Sequence, residues 1–517
     1  MDTSRDRLVR KGDYVYGSFI KPAAVDGYIN GMNPGDRSDE LGRFPFSQSS
    51  VDDAVKHAVR ASETWRTTSQ RERETAVIRF REVMLQIYDR LSSLLTRETG
   101  KPLWESRLEV HNTLRAVDAF LVDSKSWLTP VKLEEGAISE RVPRGVVGVL
   151  CPYNFPVYAA TIRTVAAVLS GNAVVYKPSK FTPAVGQLLA EIWDRCRMPR
   201  GIVNMVQGSG SVVGKRLVGH TDVSALLAAC SFNTAMVIRR ATFDRPELPI
   251  HFETGGKGIA LVLDDADLDK AVSEVMIGAF LSAGQRHTST GRVIVHKSVY
   301  EPFIEALVSR SASLSTGYGY EPDTFMGPVI SEKLRSRFRK YSRALATRGH
   351  NVLLAGGNHP MPPRKGFYVT PSIHEVNWRR GSPFLNEEPP GPTLLVYRVD
   401  SVDEAVSLHN EAVFRLVCSV FTRPARIQGL LQRLNTGSVN LNRATIYSAF
   451  RLPRAGLGRS SGGRPGGLSL LDAVTYPRAR IGEQPIDSVF PELPAARGED
   501  PLESEAALDL TASMESL

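Results

Sequence analysis

Three polar side chains stand on short turns that could present them to a ligand. Asn154 lies in Cys151-Pro152-Tyr153-Asn154-Phe155-Pro156, Glu253 precedes Gly255-Gly256, and His287 follows Ala283-Gly284-Gln285-Arg286. A carboxylate and an imidazole both move protons, so Glu253 and His287 are candidate acid–base groups. As a metal pair they lack a visible third ligand, and no metal site is expected. An amide such as Asn154 can donate to a developing negative charge or bond its own backbone as a turn residue. A second set is basic or hydroxylic: Lys177-Pro178-Ser179-Lys180, the loop from Gly208 to Ser211, and Ser231 with Thr234.

The elements that must hold these residues are legible in the apolar pattern. Val146–Leu150 and Ala173–Tyr176 are short, β-branched and continuously apolar, as strands buried on both faces are. Each is followed by a polar turn and a helix, and Ile202–Val206 repeats the unit before the Gly-Ser loop. Such alternation predicts a parallel sheet in an α/β fold. Ligands of such sheets sit outside the carboxyl ends of the strands, where CPYNFP, KPSK and the Gly-Ser loop fall. Upstream, Ser50 is expected to cap a helix, with helical spacing continuing through Trp65, Phe80 and Leu94 to ETGKP (98–102) and a further helix over 103–127. Residues 136–144 read as an extended hairpin strand. Strands are expected at 258–263, 292–296, 393–397, 416–421 and 438–441.

At 517 residues the chain exceeds one core, so two or three subdomains are expected. Its 42% hydrophobic and 23% charged residues are ordinary for a globular protein. No apolar run is long enough to span a membrane. The start, MDTSRDRLVRKGDY, has no apolar core and is expected to carry no secretory signal. Four scattered cysteines without a CxxC fit reduced thiols and a cytoplasmic location. The net charge of +9 is spread over dispersed arginines with no nucleic-acid motif, so it reads as a basic solvated surface rather than a nucleic-acid site. Beyond Ala479 the composition turns Pro-, Glu-, Asp- and Ser-rich, and 483–517 is expected to be an acidic, mobile tail.

ETGKP (98–102), PYNFP (152–156), KPS (177–179), FETGG (252–256), SAGQR (282–286), EExxGP (387–392) and LGRSSG (457–462) occur in order over about residues 15–480. Together they resemble the aldehyde dehydrogenase superfamily, and most nearly the succinylglutamic semialdehyde dehydrogenases. The resemblance implies a Rossmann-like cofactor domain (1–127 and 146–252), an α/β catalytic domain (253–469), and a β-arm for oligomerisation (128–145 and 470–482). It implies a homodimer or tetramer, an aldehyde substrate, and NAD or NADP as cofactor. By the same resemblance Asn154 is the oxyanion donor and Glu253 the general base. Lys177 and Ser179 lie at the adenosine ribose, Gly208, Ser231 and Thr234 on the dinucleotide, and Glu388 at the nicotinamide ribose. Lys180 stands where many NAD-using members have a glutamate, and an ammonium there would attract a 2′-phosphate.

Several positions depart from the family pattern. His287 stands where the family has its nucleophilic cysteine. Cys230 and Ala235 replace glycines of the pyrophosphate loop, Pro390 replaces an aromatic beside the nicotinamide, and Arg454-Ala455-Gly456 replaces Phe-Gly-Gly. Aldehyde oxidation in the family runs through a thiolate adduct. The sequence therefore leaves two readings. One is a catalytically impaired relative that keeps a dinucleotide-binding fold. The other is an oxidoreductase in which Glu253 and His287 act as bases on an aldehyde hydrate. Cys151 and Cys230 are the thiols that could stand in as a displaced nucleophile.

Overall fold

The computed structural model describes residues 10–22, 24–134, 136–377, 384, 386–461 and 466–481. The acidic segment 483–517 lies outside the described residues. Two seven-stranded sheets form the body. The first runs in the order Ile250–Glu253, Ala225–Ala229, Val146–Leu150, Ala173–Lys177, Val203–Met205, Asp13–Val15, Ser18–Ile20. Its first five strands are parallel; the last two join as an antiparallel edge. The chain steps outward from Val146–Leu150 through Ala173–Lys177 to Val203–Met205, then returns to the opposite side at Ala225–Ala229. That reversal opens a crevice beyond Leu150 and Ala229, the usual place for a ligand on such a sheet.

The second sheet runs Asn351–Leu354, Ser372–Glu375, Thr393–Val399, Thr290–His296, Gly258–Val262, Cys418–Phe421, Val439–Leu441. Its central strands are largely apolar because both faces are covered. Ala260, Val262, Val293, Val295 and Leu394 feed one core, while Ile259, Leu261, Ile294, Leu395 and Tyr397 feed the other. The period of two in side-chain direction assigns them.

The structure corrects several expectations. Ser50 is not a cap: the first helix is Ser49–Trp65, and Gln48 precedes it without a side-chain bond to the helix. The helical stretch up to ETGKP is three helices. The second, Gln70–Gln86, begins at a capping box in which Ser69 and Glu72 satisfy each other's backbone amides. The expected strand 416–421 begins later: Cys418–Phe421 joins the second sheet, and Phe414–Arg415, just upstream, pairs with Leu457–Gly458.

A separate small unit comprises Leu128–Val142 and, of the described residues beyond the body, Pro477–Ile481. Within it, the strands Val131–Glu134 and Ala137–Pro143 form an antiparallel hairpin, and Arg478 pairs with Glu140 at 2.8 Å. Residues 143–145 and the helix Leu470–Val474, expected in the arm, belong to the body. The reason is Asn172, whose amide oxygen accepts from Gly145 N at 3.0 Å while its nitrogen donates to Val474 O at 3.1 Å.

Candidate active site

Glu253 ends the edge strand of the first sheet, and His287 lies just before the strand Thr290–His296 of the second. Both line one cavity of about 270 Å³ with Thr288, Val417, Ser438, Asn440, Tyr447 and Arg454. The loop that aims residue 287 is built under strain. Ser282, Ala283 and Gly284 are successively left-handed, with φ of 57°, 52° and 63°. Two non-glycine residues there cost on the order of 1–2 kcal/mol each, and such strain persists only where surrounding contacts over-determine it. Here they do. Arg286 bonds Glu105 at 2.7 Å and Ser282 Oγ at 2.8 Å, and stands over the Phe155 ring. Glu105 also accepts from the Ser282 hydroxyl. Gly284 must be glycine, because a Cβ would strike the Gly391 carbonyl.

The electrostatics of the pair are set by arginines. Arg163 is fully buried, and its Nη2 lies 2.8 Å from Glu253 Oε2, an ion pair not aligned as a hydrogen bond. The other oxygen, Oε1, is buried without a hydrogen-bond partner and faces Gly466. Burial alone would raise the Glu253 carboxyl, but Arg163, with His251, Arg454 and His287 behind it, holds it well below the usual carboxylate range. Burial lowers His287 to about 4; Glu253 opposes this, and Arg454, Arg163 and Arg286 add to it. The imidazole is therefore neutral at pH 7.

Asn154 does not line the main cavity. Its Nδ2 donates to the Gln285 carbonyl at 2.8 Å, two residues before His287, and its side chain borders a void of about 10 Å³ with Tyr153 and Ser282. Neither alternative thiol is activated. Burial pushes Cys151 up to about 11 and Cys230 up to about 12, and neither lines the cavity.

The second set gathers at the carboxyl ends of the first sheet. Lys177 is buried, its ammonium bonded to the carbonyls of Pro178 and Gly208 at 2.8 and 3.0 Å, and burial lowers it to about 8. It thus ties the KPSK turn to the Gly-Ser loop. Ser179 accepts from Phe181 N, while Lys180 is exposed near the Phe181 ring. Ser231 caps the helix Phe232–Ala241 through Thr234 N at 3.3 Å. Two neighbouring helices begin differently: Glu98 accepts from Ala184 N and Val185 N, and Glu109 from Val157 N and Tyr158 N. Those carboxylates fill the amino ends of Pro183–Asp194 and Pro156–Leu169, leaving Phe232–Ala241 capped by its own serine alone. Glu388 lies across Gly255, where a Cβ would displace its carboxylate. Among the described residues no group of three His, Cys, Asp or Glu could hold a metal ion.

A family model for the aldehyde dehydrogenase family matches residues 20–479. The chain belongs to the aldehyde dehydrogenase family. It is 33% identical over 441 residues to an N-succinylglutamate 5-semialdehyde dehydrogenase of Paraburkholderia xenovorans, covering 84% of this chain and 89% of the relative. To an alpha-ketoglutaric semialdehyde dehydrogenase of Bacillus subtilis it is 30% identical over 460 residues, 87% of this chain and 93% of that one. Its fold matches a mutant aldehyde dehydrogenase C of Pseudomonas syringae in complex with NAD+ and octanal, with a TM-score of 0.88, 25% identity, and coverage of 94% and 99%. An Escherichia coli NADP-dependent enzyme matches with a TM-score of 0.86, 26% identity, and coverage of 92% and 99%. The α/β architecture expected from the sequence is the aldehyde dehydrogenase fold. No helix among the described residues is long and apolar enough to cross a membrane.

Sequence reasoning missed Arg163 and Glu105. The signal for Arg163 was available: it is the one charged residue within the apolar helix Pro156–Leu169, and a buried arginine requires an acceptor.

Proposed function

We propose that this aldehyde dehydrogenase family member keeps its dinucleotide cradle and its aldehyde-side cavity but does not carry out thiol-dependent aldehyde oxidation. The observation that carries this is the environment of residue 287. A neutral imidazole occupies the position that the family resemblance assigns to the nucleophile, in one cavity with a carboxylate held by Arg163. The hydrate reading asks Glu253 or His287 to be a base, and both are weak ones because their protonated forms are disfavoured. The deciding assay follows reduced cofactor formed from a short semialdehyde by the full-length protein.

A dinucleotide fits the residues of the cradle. Its diphosphate would meet the open amino end of Phe232–Ala241 at the sheet's crevice, where backbone N–H groups and the helix dipole favour negative charge. Ser179, Lys177 and Lys180 would border its adenosine side and Glu388 its nicotinamide ribose. When bound, the dinucleotide supplies a hydride acceptor. Similar proteins include both an NAD+ complex and an NADP-dependent enzyme, so the choice falls to Lys180, which is exposed. Calorimetric titration is expected to give tighter binding of NADP+ than NAD+, by about two- to fivefold as suits one exposed charge. Lys180→Glu should reverse the order; equal affinities in the parent protein would sink the preference.

We further propose that the protein is a homodimer or tetramer built through the arm. Leu133 and Ile481 are 70% and 68% exposed on strands of that small sheet, and open strand edges seek partners. Sedimentation at micromolar concentration is expected to find no monomer.

A further inference from the structure

The loop that carries Glu388 is held by two cations buried beneath it. Arg292, fully buried on the strand Thr290–His296, donates Nε and Nη2 to Phe384 O at 3.1 and 2.8 Å. Its Nη2 also donates to Glu387 O. Lys257 is buried too, and its ammonium donates to Gly391 O at 2.6 Å. The two side chains thus hold the backbone on either side of Glu388. Pro389, Pro390 and Pro392 donate no N–H, so this stretch depends on donors from outside it. Downstream it is closed by Thr393, whose N–H reaches Gly391 O at 2.9 Å and whose hydroxyl reaches Pro390 O at 2.7 Å.

Lys257 reaches its acceptor from a strained backbone. Its φ is 46°, a left-handed conformation that a side chain disfavours. Its stem lies over Gly291, where a Cβ would strike it. Such a residue persists only where its contacts over-determine it, and the hydrogen bond it makes is the one to Gly391 O. That carbonyl also abuts Gly284, in the left-handed loop before residue 287. One buried ammonium therefore ties the turn after Glu253 to the Glu388 loop at the point where the third loop meets them.

We propose that Lys257 is a positioning residue that locks the Glu388 loop to the turn after Glu253, and so sets the affinity of the crevice for the nicotinamide half of a dinucleotide. The lock stands on the geometry alone; its effect on affinity rests on the dinucleotide reading given above. Glu388 lies against Gly255, two residues before Lys257, so lock and carboxylate share one turn. Burial lowers Lys257 to about 7; Glu388 opposes this, and Arg292 and Arg337, the latter on the helix Glu332–Thr347, add to it. The bond to Gly391 is therefore charge-assisted below about pH 7 and an ordinary amine bond above it, roughly half as strong.

The test is hydrogen exchange of the full-length protein, read by mass spectrometry at the buried amides of Gly391 and Thr393. The strand amides of Val174 and Val175 serve as control. In the parent protein, protection of Gly391 and Thr393, corrected for intrinsic exchange, is expected to fall about fivefold between about pH 6 and 8.5. Lys257→Met should exchange there at least about tenfold faster at the lower pH, without the pH step and with the control unaltered. Calorimetric titration then separates the two halves of the ligand. Lys257→Met should lose about tenfold in NADP+ affinity and keep its affinity for adenosine 2′,5′-bisphosphate, which lacks the nicotinamide ribose. A parent protein that binds neither ligand would overturn the dinucleotide reading and the effect on affinity with it, while exchange still decides the lock. Parent-like protection in Lys257→Met, a parent profile without a step near neutral pH, or equal losses for both ligands would each overturn the proposal.

Discussion

With NAD+ or NADP+ and a short semialdehyde, the unmodified protein is expected to form no reduced cofactor, and His287→Cys is expected to restore a first turnover followed by a slow steady state. Loss of a covalent nucleophile costs enzymes roughly 10⁴–10⁶ in rate, and the neutral imidazole offers no substitute: its acyl adduct is unstable, and no activating base of ordinary strength adjoins it. A thiol at 287 would occupy the same cavity as Glu253, on a loop whose aim is fixed by Glu105, Arg286 and Asn154. Attack and hydride loss need that placement. Hydrolysis of the thioester needs a base to activate water, and Glu253 holds its proton poorly because Arg163 stabilises the charged form. Rapid-quench measurement should therefore find a burst of reduced cofactor near one per active site, then slow release. A folded but inert His287→Cys protein would direct attention to Cys230, Ala235 and Pro390 around the cofactor. The reading fails if the parent protein turns over at about 1 per second or more and Glu253→Ala abolishes that turnover.

The parts of this molecule that were legible from its sequence are those set by local pattern. Val146–Leu150 and Ala173–Tyr176 are visible because strands covered on both faces read as continuous apolar runs. The turns bearing Glu253 and His287 are visible because glycine and glutamine at fixed spacing mark them. Where two signals competed, the weaker was lost. The helical period carried across Thr67–Ser69, although Ser69 and Glu72 already spelled a capping box. What depends on remote partners was not legible. Phe414–Arg415 separates from the strand at Cys418 because its partner is Leu457–Gly458, some forty residues on. Asn154 fits its motif, yet nothing local says that its amide is committed to Gln285 O. Arg454 was seen only as a departure from a family phrase.

The stability of the site rests on Arg163, and Arg163→Met is expected to be the most damaging single change in it, at about 3–5 kcal/mol at neutral pH. Its guanidinium is fully buried, donates to Ala159 O at 2.9 Å within its own helix, and faces Glu253 at 2.8 Å. Removing it leaves a largely buried carboxylate with its neutralising partner gone, and the cost of desolvation is then uncompensated. The pH dependence fixes the cause. In the parent protein the Glu253 carboxyl is depressed below its ordinary 4.5, so its contribution is present above that value and is lost as the pH falls through the lower folded value. Without Arg163 the largest charge holding the carboxyl down is gone while burial still raises it, so the carboxyl lies higher than in the parent. The variant therefore lacks the stabilisation that the parent gains as the pH rises past the ordinary carboxylate range. The gap in melting temperature between the two proteins should therefore be widest at neutral pH and narrow steadily below about pH 4.5. Glu253→Gln in the Arg163→Met background should recover part of the loss, because a neutral amide removes the stranded charge. A gap that stays constant from neutral to acidic pH, or a double variant no more stable than Arg163→Met alone, would assign the damage to lost packing in the helix and not to the ion pair.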